Sequence, residues 1–151
     1  MNFIFISPQF PKHYWNFCDR LKKNGVNVLG IGDSPYDALS DELKNALTEY
    51  YYLPHLDDYG EMVKAVGFFT FKYGKIDWIE SNNEFWLAQD ARLRTDFHVT
   101  TGEQYDHIDR IKNKSAMKAY YAKAGVPTAR LHKVTSFEAG RDFAHMVGYP
   151  V

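Results

Sequence analysis

The stretch "IESNNEFW" sets Glu80, Ser81, Asn82, Asn83 and Glu84 side by side. Carboxylates and amides packed this closely could form a polar floor that orients a small substrate. They could equally cap a helix, with Ser81, Asn82 or Asn83 as N-cap and Glu84 in the first turn. A second grouping lies downstream. From Ile111 to Val134, "IKNKSAMKAYYAKAGVPTARLHKV" holds five lysines, one arginine and no acid. Asn113 is placed there to cap a helix whose first residue is Lys114. A cation at that position opposes the helix dipole by ~0.3–1 kcal/mol unless an anion is also present. A lysine beside a helix N-terminus also suits a phosphate group. Arg110, Lys114 and Lys118 follow one another at helical spacing as a basic stripe, and a solvated basic face would carry the same pattern.

Other chemistries find less support. A dinucleotide fingerprint needs glycines after the first strand, so that backbone can approach a pyrophosphate. The loop there is "SPQFP", without glycine, and "GIGD" after the second strand lacks the third glycine. A nicotinamide-dependent oxidoreductase is disfavoured on that ground. No P-loop and no paired-histidine zinc motif occurs, and no metal ligand or catalytic residue is assigned. The single cysteine, Cys18, lies on a predicted core face, where burial rather than reactivity is expected. One cysteine excludes an intrachain disulfide and fits a reducing compartment.

The elements that must position these groups read as alternating strands and helices. The 151 residues carry a formal net charge of −1, 45% apolar and 17% aromatic residues, enough for a sizeable core. The charge balance argues against a nucleic-acid partner. "NFIFISP" has no basic leader and reads as a strand, not a signal peptide, and no apolar run reaches membrane-spanning length. A soluble, cytoplasmic protein is expected. Strands are predicted at Phe3–Ser7, "VNVLGIGD", "YYYLP" and "KIDWIE", with "FHVTT" as a fifth. Helices are predicted with Tyr14, Phe17, Cys18 and Leu21 on one face, then after an N-cap at Ser40, over 58–73, over 85–93 and over 103–111. Met117, Tyr120, Tyr121 and Ala124 are spaced as a buried helix face. This alternation implies βαβ units and a doubly wound parallel sheet, an α/β fold. In such sheets ligands gather beyond the carboxyl ends of the strands, here Ser7–Phe10, 30–36, 54–56 and Ser81–Glu84.

The segment "NKSAMKAYYAKAGVPTARLHKV…FEAGRDFAHMVGYPV" resembles the entry into the nucleotide-binding part of the ATP-grasp superfamily, which includes biotin carboxylase and other carboxylate–amine ligases. Asn113-Lys114 stands where the superfamily has "DK", "AGVPTAR" matches as written, and "GYPV" matches the start of the next strand. "DWIESNNEFWLAQDARLRTDF" resembles the fourth strand and following helix of the superfamily's N-terminal domain. The resemblance implies three parts: a Rossmann-like pre-ATP-grasp domain over 1–109, a linking helix and turn over 110–127, and the start of an ATP-grasp subdomain over 128–151. It implies an N-terminal fragment, catalytically incomplete, of an ATP-dependent ligase working through an acylphosphate. ATP and Mg²⁺ would serve the intact protein, with none held tightly by the fragment. Lys114 would contact the nucleotide phosphates. Ser7, Gln9, Phe10, Ser81, Asn82, Asn83 and Glu84 would face a small-molecule carboxylate, with Arg92 and Arg94 as carboxylate partners or surface salt bridges. The alternative is a stand-alone small-molecule-binding module. The segment from about Thr128 lacks sheet partners of its own. It is expected to be protease-sensitive or to pair with a second copy, giving a homodimer.

Overall fold

The computed structural model describes residues 1–151, which divide into two compact units, Met1–Ile108 and Asp109–Val151. The first unit is built on four strands: β1 (Asn2–Ile6), β2 (Asn27–Gly32), β3 (Glu49–Tyr52) and β4 (Trp78–Glu80). All pair in parallel in the order β3-β2-β1-β4. The chain steps outward from β1 to β3 and then returns to the other side of β1. The strand order therefore reverses between β1 and β4.

Period-two alternation sorts the strands onto two cores. Ile4, Ile6, Leu29, Ile31 and Ile79 face one side, where Met62, Ala65, Val66 and Phe69 of α3 (Tyr59–Tyr73) and Leu93 of α4 (Leu87–Asp96) meet them. Phe5 and Val28 face the other, against Cys18 of α1 (Trp15–Lys23) and Leu43 and Ala46 of α2 (Asp41–Ala46). With helices on both faces, the sheet is doubly wound. Ser40 caps α2 as expected from the sequence, and Asp58, expected inside the helix over 58–73, is instead the cap of α3. Ser40 Oγ accepts from Leu43 N–H and Asp58 Oδ1 from Glu61 N–H. Gly25, just past α1, takes a φ of 76° that suits a residue without Cβ. Cys18 packs in this core, and burial pushes its thiol up to about 12.

Several expectations are corrected. "FHVTT" is not a strand. Val99 is buried, but its N–H turns back to the Arg94 carbonyl at 2.8 Å, and His98 sits at φ 53°. The segment therefore closes the end of α4 and never extends along the sheet. The helix expected over 103–111 is a 3₁₀ turn, Tyr105–His107, followed by the four-residue α5 (Asp109–Lys112).

The second unit contains α5, α6 (Lys114–Lys123) and α7 (Phe137–Val147). Neither "ARLHKV" nor "GYPV" forms a strand, because the unit offers no sheet to pair with. The spacing of Met117, Tyr120, Tyr121 and Ala124 is helical, but Tyr120 is 55% exposed, Tyr121 39% exposed, and Met117 only half-buried. Amphipathic period announces a face to bury and cannot supply the surface that covers it. No helix of the chain is long and apolar enough to cross a membrane.

Candidate functional site

Two of the four strand ends carry a residue in the left-handed region without being glycine. Ser7 follows β1 and Asn82 lies just past β4, each at φ 54°. Such a conformation is uncommon outside glycine, and asparagine adopts it more readily than serine. The two ends are adjacent, because β1 and β4 pair directly, with Phe5 opposite Glu80. They flank the point where the strand order reverses, the usual place for a ligand in an open α/β sheet.

At the end of β1, Ser7 is buried and its N–H reaches the Ile31 carbonyl at 2.8 Å. Gln9 Nε2 donates to Ser7 Oγ at 3.2 Å and to Asp33 Oδ1 at 2.6 Å, tying this loop to the exit of β2. Gly32 permits that bridge. A Cβ there would stand 2.4 Å from both Gln9 Oε1 and the Tyr50 hydroxyl. Gln9 Oε1 itself is buried and accepts no hydrogen bond. Phe10 points outward, 65% exposed. Beside this cluster is a hollow of 360 Å³ lined by Gln9, Lys12, Ser34, Ser40, Leu39 and Leu43.

At the end of β4, "SNNE" does not cap the helix. The N-cap position of α4 belongs to Trp86, and no side chain caps it. Asn83 Oδ1 instead accepts from Phe85 N–H at 3.0 Å, a local turn. Ser81 is fully buried, and Asp90 Oδ2 accepts from its N–H at 3.0 Å and its hydroxyl at 2.6 Å. Asn83 N–H donates to Ser81 Oγ at 3.2 Å. Asn82 and Glu84 are exposed and Asn83 is half-buried. Tyr14 hydroxyl donates to the Asn82 carbonyl at 2.6 Å, linking the approach to α1 with this turn. An apolar hollow of 350 Å³ adjoins it, with Phe3, Phe5, Phe17 and Trp78 along it and Glu80 and Asn82 at its polar end.

Below the turn lies a buried charge cluster that sequence reading missed. Arg94 is not a surface residue but 2% exposed. Its guanidinium donates to the Ile79 carbonyl at 2.7 Å, the Glu103 carbonyl at 2.9 Å and Glu80 Oε2 at 3.2 Å. Arg92 stays outside and lies over the Tyr59 ring at 3.7 Å. Asp90 is fully buried. Desolvation pushes its carboxyl up to about 7, against the lowering effect of the Ser81 hydroxyl; nearby Glu80 adds to the rise and Arg94 offsets part of it. The available signal was an aspartate on the α4 face that also carries Leu93 and Arg94, three and four residues on.

In the second unit, Lys114 is the first residue of α6, as the sequence implies. Asn113 Oδ1 accepts from Ser115 N–H at 3.1 Å and Ala116 N–H at 3.3 Å, and Met117 N–H reaches the Asn113 carbonyl. These amides of the first turn are thus already satisfied. No acid lies in the first turn. Lys118 donates to the Ala129 carbonyl, so the basic stripe is not simply a solvated face. The structure groups Ser7, Gln9 and Asp33 in one cluster and Ser81, Asn82, Asn83 and Asp90 in another.

The first unit is a parallel, doubly wound α/β sheet, consistent with a Rossmann-like pre-ATP-grasp domain. Solved structures agree. The L-amino acid ligase from Bacillus licheniformis superposes with a TM-score of 0.63 at 15% identity, over 89% of this chain and 35% of that one. The biotin carboxylase domain of a thermophilic 2-oxoglutarate carboxylase bound to bicarbonate gives 0.63 at 19%, over 97% and 34%. The biotin carboxylase subunit of a pyruvate carboxylase gives 0.61 at 19%, over 99% and 34%. The chain spans about a third of the length of these proteins. No family profile and no curated protein matches the sequence. At these identities the likeness is one of fold. The sheet places both exit turns, Ser7–Phe10 and Ser81–Glu84, where its strand order reverses.

Proposed function

We propose that this chain is the N-terminal part of an ATP-dependent carboxylate–amine ligase, the biotin carboxylase-like chemistry being its close variant. The observation that carries the reading is the likeness of fold over nearly the whole chain to one amino-acid ligase and two biotin carboxylases. The Asn113-capped helix that opens on Lys114 supports it.

In that reaction a substrate carboxylate oxygen attacks the γ-phosphorus of ATP. The bond to the β-phosphate bridging oxygen breaks, leaving an acylphosphate and ADP. An amine nitrogen then attacks the acyl carbon, the C–O bond to phosphate breaks, and the nitrogen gives up a proton. The contribution of these residues is binding and orientation. Lys114 offers a cation to the nucleotide phosphates. The turns at Ser7–Phe10 and Ser81–Glu84 face the carboxylate substrate, with the apolar hollow at Phe5 and Trp78 available to its body. Magnesium would neutralise phosphate charge in the intact enzyme. Within residues 1–151 no three His, Cys, Asp or Glu side chains converge to hold it.

The test uses the full-length protein encoded with this segment. Release of ADP and phosphate should depend on both a carboxylate and an amine, screened as amino-acid pairs and as bicarbonate with biotin. Lys114→Ala should raise the apparent KM for ATP with the circular dichroism spectrum unchanged. Tight binding of a carboxylate with no ATP turnover under any pairing would leave a binding module and end the ligase reading.

A further inference from the structure

The buried cluster under the β4 turn has two carboxylates and one guanidinium. Arg94 lies 3.2 Å from Glu80 and also serves two backbone carbonyls. Asp90, from the first turn of α4, has no ion pair with it. Its Oδ2 accepts both Ser81 donors, and its Oδ1 is buried with no partner at all. A buried carboxylate with one unsatisfied oxygen and a like charge nearby is the member of such a cluster that most readily takes a proton.

The turn above depends on that carboxylate. Ser81 Oγ donates to Asp90 and accepts from Asn83 N–H, so one hydroxyl joins Asp90 to both sides of Asn82. Asn82 is held at φ 54°, and its carbonyl receives the Tyr14 hydroxyl. Glu80 Oε1 lies 3.2 Å from Ser81 N and 3.3 Å from Asn82 N. Bonds to an ionised acceptor are roughly twice as strong as bonds to a neutral one. We propose that Asp90 is a protonation-responsive positioning residue: its ionised carboxylate fixes the Ser81–Asn83 turn in the strained form, and its protonation loosens that turn. The charged groups facing it are Glu80 from β4, which repels the ionised form, and Arg94 from its own helix, which favours it. The use of this turn for substrate rests on the ligase reading. The switch itself does not, and it is measured without substrate.

The experiment is an amide NMR titration of the 151-residue chain from pH 5 to pH 9. The Ser81, Asn82 and Asn83 amides should move together through one midpoint near neutrality, while those of Leu29 and Ile31 stay still. Asp90→Asn keeps an acceptor oxygen for Ser81 and should abolish the titration. Glu80→Gln removes the repelling charge and frees Arg94, so the midpoint should fall by about half a pH unit or more. Ser81→Ala removes a donor to the carboxylate and should raise it. Turn amides that do not respond to pH, or a response that persists in Asp90→Asn, overturn the proposal. Should Asp90→Asn fail to fold, the opposite displacements in Glu80→Gln and Ser81→Ala decide it, and displacement in neither overturns it.

Discussion

The two compact units use the same kind of amphipathic helix with different results. In Met1–Ile108, α1, α2, α3 and α4 lay their apolar faces on a sheet whose own residues alternate to both sides, and the core side chains are buried. In Asp109–Val151, α7 buries only Ala144, and α6 buries nothing completely. This unit also holds a stacked pair, His132 on Phe143 at 5.3 Å between centroids. A helix gains most of its stability from the surface it packs against. Helical periodicity leads to full burial only in the unit that has a sheet.

The largest effect should come from truncation inside the first unit. Phe69→Ala, a fully buried side chain of α3, should cost about 3–5 kcal/mol in chemical denaturation. Tyr120→Ala in α6 should change the same transition by less than about 0.5 kcal/mol. Equal effects would mean that the two units bury their helices alike.

A pH dependence should follow next. In the folded chain the Asp90 carboxyl is raised, so between the ordinary carboxylate range and about pH 7 the folded state keeps a proton that the unfolded state has lost. That contribution is fully present at low pH and is lost as pH rises towards 7. Asp90→Asn does not titrate. Its stability relative to the parent should therefore improve between pH 5 and pH 8, by about 1–3 kcal/mol. A gap that stays constant with pH would mean that Asp90 ionises normally.

Gly32→Ala should cost a comparable or smaller amount, about 1–3 kcal/mol, because Gln9 and Tyr50 must both give way. Loss of the Gln9 bridge should appear as faster amide exchange at Asp33. The smallest effect is expected from Asn113→Ala, which removes the cap of α6. It should cost about 1 kcal/mol of local helix stability, seen as amide exchange at Ser115 and Ala116, with the first unit's unfolding transition unmoved.

Much of this molecule could be read from residue types. The apolar runs in "NFIFI" and "NVLGIG", the caps at Ser40 and Asn113, and the glycine after α1 announce parallel strands and their helices by local rules. Lys114 at a helix start follows from its neighbours alone. Where the sequence misled, the missing information was non-local. "FHVTT" and "ARLHKV" have strand composition, yet a strand exists only where another offers its hydrogen bonds. Met117, Tyr120 and Tyr121 have core spacing, yet burial needs a covering surface.

The site divides in the same way. Sequence alone determined that polar residues would collect at Ser7–Phe10 and Ser81–Glu84, because parallel strands all end on one side. Only tertiary structure decided that Ser81 turns inward to Asp90, that Tyr14 reaches the Asn82 carbonyl, and that Arg94 lies under the turn between Ile79 and Glu103. Those partners lie nine to sixty-eight residues apart in the chain. The choice between capping a helix and holding a strained turn rested on which buried carboxylate stood within hydrogen-bond reach, and distance in space is the one quantity that spacing along a chain does not contain.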